Sequence, residues 1–261
     1  MKADSATNVG DAAPRGEQEN WSYTALVAGA TGLIGSTLFR RLIDDKRCSR
    51  VTVIARQPMT KPIPNSGTKL DYRVTTFDRL EDALKDVQAD VVCCALGTTM
   101  KKAKTREAFR EVDLVYPVRL AQWAKAGGAS VFLAVSSMGA STKSKFFYSR
   151  VKGEMEEKLS AAGLPELHLF RPSLLTGDRG EFRFGEQAAS AVARLTGWAW
   201  IGPLRKYKPI QGERVAEAMR IVAARAAYDR LVKGGEPSWP TVRIYESDEI
   251  GCIARGKRQD G

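Results

Sequence analysis

The stretch Thr24–Leu38, TALVAGATGLIGSTL, decides how the chain is read. A short apolar run from Ala25 to Ala28 stops at Gly29. Glycines recur at Gly32 and Gly35, and an amphipathic pattern, Leu33, Ile34, Leu38, Leu42 and Ile43, starts inside the glycine run. That order predicts a buried strand, a tight turn and a helix. In such a turn glycines bend the chain, let backbone approach a pyrophosphate and let the helix pack closely on the strand. The amides at the helix start then face the anion. The spacing is GxxGxxG rather than GxGxxG; it gains weight because strand and helix sit where dinucleotide binding needs them.

Outward from that turn, strands and helices alternate. Arg50 to Ala55, Asp71 to Phe77, Asp90 to Ala95, Ser130 to Val135 and Leu167 to Phe170 read as strands, rich in β-branched and apolar residues. Leu80 to Val87, Thr105 to Ala126 and Phe146 to Ala162 read as the helices between them. Near-continuous apolar strands alternating with helices predict an α/β fold, a Rossmann-like doubly wound parallel sheet with helices on both faces. Beyond Arg171 the rhythm changes. A glycine-rich loop, a helix near Glu186 to Leu195, a segment with Trp198 and Trp200, a helix from Gly212 to Ala227 and an apolar stretch from Thr241 to Tyr245 follow. They read as a small C-terminal elaboration on the substrate side of the sheet.

Composition bounds the function. With 261 residues, 43% of them hydrophobic, the chain can bury a full core. Residues 1–22 read as a polar, disordered leader without the apolar centre of a signal peptide. Residues 23–250 read as one NAD(P)-binding domain with a substrate-side segment at about 179–211, and residues 251–261 as a basic tail. No run reaches the roughly 18 apolar residues of a membrane span, so no membrane partner is expected. Cys48, Cys93, Cys94 and Cys252 lack metal or redox spacing, which excludes a cysteine-held metal site and fits a reducing cytoplasm. The formal charge of +11 is dispersed, with modest clusters at Lys101 to Lys104, Lys143 to Lys145 and Arg255 to Arg258. Solvated faces account for it better than a nucleic-acid partner. His168 is the only histidine and lies in an apolar strand, which argues against a Ser-His-Asp triad.

A second constellation carries chemistry. The fifth strand runs into VSSMGA, Val135 to Ala140, and YSRVK follows, placing Tyr148 and Lys152 four apart on one face of a helix. A phenol titrates near pH 10 and works at neutrality only where a nearby ammonium stabilises its phenolate. A serine hydroxyl at the end of the neighbouring strand could hold a substrate carbonyl while Tyr148 delivers the proton. Ser136 and Ser137 both stand there.

These residues resemble the short-chain dehydrogenase/reductase superfamily in its atypical branch, and within it the Tat-interacting-protein-like oxidoreductases. The resemblance lies in AGATGLIGSTL, ALGTTMKKA, VDLVYPVRLAQWAKAGGA, VSSMGAS, FFYSRVKGEMEEKL and LFRPSLLTGDR, and spans about Thr24 to Gly185. It implies bound NADP, with Gly29, Thr31, Gly32, Leu33, Ile34 and Gly35 around the pyrophosphate. It implies Asp78 near the adenine, Leu96, Gly97 and Thr98 along the ribose edge, and Pro172, Ser173 and Leu174 beside the nicotinamide. Its catalytic set falls on a serine, Tyr148 and Lys152, the last two also touching cofactor. Ser136, twelve before Tyr148, fits the usual spacing better than Ser137. The asparagine of many relatives has no counterpart; Asp113 stands where it would be sought.

The expected activity is an NADP-dependent oxidoreductase moving hydride between nicotinamide and a small carbonyl or alcohol substrate, in a monomer or homodimer. Arg56, just past the second strand, is a cation where NAD-selective turns place an acid, which favours the 2′-phosphate of NADP. The alternative is an NADPH-sensing module that contacts a protein partner. The segment from Arg179 to Gln211 is expected to select substrate, as a mobile lid or as a rigid cap.

Overall fold

The computed structural model describes residues 21–59, 63, 66–177, 207–234 and 241–256. The expectations placed on residues 1–20, on the helix near Glu186, on Trp198 and Trp200, on most of the 179–211 segment and on the last five residues lie outside them. Trp21, assigned to the leader by sequence, instead packs between Tyr23 and Tyr228, with ring centroids 6.0 and 5.2 Å away.

Seven parallel strands form one sheet: β1 (Tyr23–Ala28), β2 (Cys48–Ala55), β3 (Leu70–Val74), β4 (Val91–Cys94), β5 (Val131–Val135), β6 (Glu166–Arg171) and β9 (Thr241–Glu246). Their order is β3-β2-β1-β4-β5-β6-β9. A separate parallel pair, β7 (Leu175–Thr176) and β8 (Ile210–Gln211), stands beside the sheet's carboxyl edge. The sheet is the Rossmann-like doubly wound arrangement, and the chain reverses direction of growth between β1 and β4, where a crevice opens at the strand ends.

Alternation along each strand divides the core into two layers. Tyr23, Ala25 and Val27 of β1 face α1 (Gly35–Asp44) and α7 (Gly212–Leu231), whereas Leu26 and Ala28 face the other side. On that other side lie α2 (Leu80–Ala83), α4 (Arg106–Arg110), α5 (Tyr116–Ala126) and α6 (Phe147–Ala161). Arg41 and Arg220 clamp α1 to α7 through Glu217 and Asp45. Strands buried on both faces explain the continuous apolar runs.

Three elements differ from the sequence reading. The third strand ends at Val74, three residues early, because Phe77 turns into the core from a short 3₁₀ turn over Phe77–Arg79. The helix expected to reach Val87 ends at Ala83, and Val87 closes a tight turn on the Leu84 carbonyl at 3.0 Å. The long helix from Thr105 to Ala126 is real but interrupted: Glu111–Val115 wind as a π-helical turn between α4 and α5. The short α3 (Met100–Ala103), α8 (Ser247–Ile253) and the strand pair β7 and β8 were unforeseen.

Candidate active site

The glycine turn is built as the sequence required. Gly29 leaves β1 at φ +90°, and a side chain there would meet the Ala95 carbonyl at 2.5 Å. The turn closes through Gly32 N–H donating to the Gly29 carbonyl at 2.9 Å, and Ser36 N–H donates to Gly32 at 3.0 Å. The first amides of α1 lack partners within the helix by its geometry, and the macrodipole adds positive potential there.

A cavity of about 520 Å³ opens on this turn. Gly29, Thr31, Gly32 and Leu33 form one wall. Leu96, Gly97 and Thr98, at the end of β4, form a second, and Arg56 lies at the rim beyond β2. Ile34 and Gly35 are not on the wall: Ile34 is 3% exposed and packs into the core beneath the turn, and Gly35 abuts the Gly29 carbonyl. Any role of Ile34 toward a ligand therefore falls to its backbone. Asp78 is exposed; its neighbour Phe77 lines the cavity and stacks on Tyr116 at 4.4 Å.

The three residues expected beside the nicotinamide, Pro172, Ser173 and Leu174, do not line the cavity. Ser173 is 1% exposed, and its hydroxyl donates to the Lys208 carbonyl at 2.5 Å while lying 2.8 Å from Ser247 Oγ. The Pro172 carbonyl accepts from Met138 N–H at 3.0 Å. Leu175, Thr176 and Gly177 reach the cavity instead of Pro172, Ser173 and Leu174. Sequence reading also missed Lys102, which it had counted among solvated lysines; it lies on the wall, carried there by α3. Its run of lysines gave no local signal to separate it from its neighbours.

Ser136, Tyr148 and Lys152 lie outside that wall, at the ends of β5 and α6. Phe132 and Ala134 face the layer that contains α6, and Ser136, whose N–H donates to the Phe170 carbonyl at 2.7 Å, continues that alternation one residue past β5. Both serines are 2% exposed, and neither Oγ has a hydrogen-bond partner among the described residues. A buried hydroxyl left without a partner costs free energy unless a ligand or water satisfies it. Tyr148 is half-buried against Phe109, whose ring meets it edge-on at 5.8 Å. Lys152 is 2% exposed, with Nζ 2.9 Å from Asp113 Oδ1 and 3.3 Å from the Val135 carbonyl. Asp113 Oδ2 accepts from Thr98 N–H at 2.7 Å. Gly153, which sequence reading passed over, lets α6 press onto the loop at Ser141.

The residues present fit a dinucleotide. The Gly29 cradle would be filled by any side chain, cations rim the cavity at Arg56 and Lys102, and unpartnered serine hydroxyls lie at the far strand end. Among the described residues no cluster of His, Cys, Asp or Glu could hold a metal ion.

Comparison with known proteins agrees. Residues 25–161 match the NAD dependent epimerase/dehydratase family. The chain is 36% identical to protein HTATIP2 of Rattus norvegicus over 167 residues, covering 64% of this chain and 68% of that protein. It is 30% identical to the mitochondrial protein FMP52-1 of Scheffersomyces stipitis over 87% of this chain and 96% of that protein. Among solved structures, a UDP-glucose 4-epimerase aligns at TM-score 0.58 and 14% identity, over 89% of this chain and 80% of its own. The Bordetella bronchiseptica enzyme WbmH in complex with NAD+ aligns at 0.55 and 17%, over 87% of each chain. The expected cytoplasmic location is corrected by the fungal relatives, which are named mitochondrial. Unpaired cysteines speak to redox state, which does not distinguish one reducing compartment from another. No helix among the described residues is long and apolar enough to cross a membrane. By its sequence, the chain belongs to the NAD dependent epimerase/dehydratase family.

Proposed function

We propose that this protein is an NADP-dependent oxidoreductase acting on a carbonyl or alcohol of a small molecule. The observation that carries the reading is the buried Lys152 on α6, one turn beyond Tyr148, with the unpartnered Ser136 hydroxyl on the facing strand end. Bound in the cavity, the dinucleotide would supply or accept hydride. Thr31, Gly32 and Leu33 would hold its pyrophosphate through the turn and helix start. Arg56 would pair with a 2′-phosphate, and the guanidinium's fork suits that group. Ser136 would donate a hydrogen bond to the substrate oxygen, and Tyr148 would pass its phenolic proton to that oxygen as the bond order falls. Lys152 would stabilise the phenolate left behind and hold ribose hydroxyls.

A second reading, an NADPH-sensing module, draws on the Asp113 carboxylate, which already neutralises the Lys152 ammonium. The test is NADPH oxidation by the purified protein across a panel of aldehydes and ketones, with NADH in parallel. Turnover of any of them with NADPH preferred supports the enzyme. Tight NADPH binding with no turnover would move the conclusion to the sensor.

A further inference from the structure

The π-helical turn at Glu111–Val115 brings one carboxylate into the protein interior. Asp113 is 1% exposed and uses both oxygens, one toward Lys152 Nζ at 2.9 Å and one toward Thr98 N–H at 2.7 Å. Thr98 lines the dinucleotide cavity, and Lys152 is the cation of α6. A π-turn inserts an extra residue into a helix and shifts the facing of the residues within it, a device common at functional sites. Here it carries a side chain between two otherwise separate parts of the site.

We propose that Asp113 is a positioning residue: it keeps Lys152 in its charged ammonium form and ties α6 to the cofactor-lining Thr98 loop. This rests on the reading of Tyr148 and Lys152 as the reacting pair, but its first consequence concerns the lysine alone. An ammonium this deeply buried loses its proton readily unless an anion faces it, and the downward displacement can reach several pH units. Among the described residues, the other charged groups around α6 are engaged elsewhere. Arg110 is paired with Glu154 at 2.7 Å, and Arg171 from β6 binds Glu156 through two bonds. Arg106 lies over the Phe147 ring, and Arg119 of α5 binds Glu81. Lys125, near the far end of α5, sits at Gly163. Cys94 of β4 feels both Lys152 and Asp113, and burial pushes its thiol up to about 11, so it stays neutral. A neutral side chain at position 113 could still accept from Thr98 N–H but could not balance the ammonium. The carboxylate thus sets the protonation of the Tyr148/Lys152 pair, and the pair's first proton loss belongs to both groups.

The experiment compares wild type with Asp113→Asn, which keeps shape and acceptor while removing charge. Carbon NMR of protein labelled at lysine Cε, with the Lys152 signal assigned by its absence in Lys152→Arg, reads the lysine directly. The Lys152 signal of Asp113→Asn is expected to titrate at least about one pH unit below that of wild type. The alkaline limb of turnover on the best carbonyl compound is expected to fall by a similar interval. An unmoved Lys152 titration overturns the proposal. A moved titration in a protein that reduces no carbonyl compound supports the role of Asp113 while removing the oxidoreductase reading. Should Asp113→Asn fail to fold, Asp113→Ser offers the same neutral acceptor in less volume and is read in the same way.

Discussion

Gly153 presses directly on the backbone of Ser141: a methyl group added at Gly153 would lie 2.3 Å from the Ser141 carbonyl carbon. The contact fixes α6 against the loop that leaves β5, and Ser141 N–H donates to the Ser149 carbonyl at 3.0 Å across the same seam. Backbone meets backbone, so no side chain can rotate away. Gly153→Ala is expected to destabilise the fold by about 1–3 kcal/mol, the cost of overpacking a rigid seam. Denaturant titration checks it. An unchanged midpoint would mean that α6 can shift outward without penalty.

The proposed preference for NADPH over NADH rests on Arg56. The side chain lies at the cavity rim, and the main-chain turn before it carries no acid that would bind a ribose 2′-hydroxyl. Arg56→Ala is expected to weaken NADPH binding at least about tenfold while leaving NADH binding within about threefold, since one charge-assisted contact is worth roughly 1.5–3 kcal/mol. Fluorescence titration with both cofactors measures this. Equal affinities in wild type would remove the argument.

The clamp between α1 and α7 gives a pH-dependent share of stability. Hydrogen bonding from Arg220 and its charge hold the Glu217 carboxyl below its usual range, with Arg41 adding to the effect. A depressed carboxyl stabilises the fold above its unfolded pKa, and that contribution is lost as pH falls through the folded value. Arg220→Gln is therefore expected to be less stable than wild type at neutral pH by on the order of 1 kcal/mol, a modest figure because the pair is partly open to solvent. The difference should shrink as pH falls below about 4. Denaturation midpoints of both proteins at several pH values test the sign; a gap that widens in acid contradicts it.

The parts of this fold that could be read from sequence are those whose signals are local. β1, the glycine turn and α1 announce themselves because strand, turn and helix periodicities follow one another within Tyr23–Asp44. Tyr148 and Lys152 were legible for the same reason, lying one helical turn apart. What was not legible depends on contacts made by topology. Asp113 and Lys152 are 39 residues apart, and only the π-turn between α4 and α5 aims the carboxylate inward. Lys102 looks like its lysine neighbours until α3 sets it on the cavity wall. Ser173 reads as a site residue, yet its hydroxyl is committed to Lys208 and Ser247, brought near by chain far downstream. Phe77 reads as strand because it is aromatic, whereas the core on the helix side draws it out of β3.

Tyr148 is where the enzyme and sensor readings part. If its hydroxyl is the proton donor, Tyr148→Phe keeps the edge-on packing against Phe109 and removes only the acid. Turnover is then expected to fall by about 10² to 10⁴, the usual worth of a positioned general acid, with NADPH affinity nearly unchanged. The two serines supply an internal control. Both are buried with unpartnered hydroxyls, so a loss of stability alone would treat them alike. Ser136 continues the β5 ladder toward the face that meets α6, whereas Ser137 lies beyond the ladder. Ser136→Ala should accordingly reduce kcat by at least about tenfold more than Ser137→Ala does, since the hydrogen bond it removes is one formed to developing charge. The comparison is made on one carbonyl compound, with melting temperatures recorded for each variant. Equal losses from the two serines would mean that β5 presents its carboxyl end differently. Full turnover by Tyr148→Phe would leave the tyrosine a packing residue and make NADPH sensing the better account of the site.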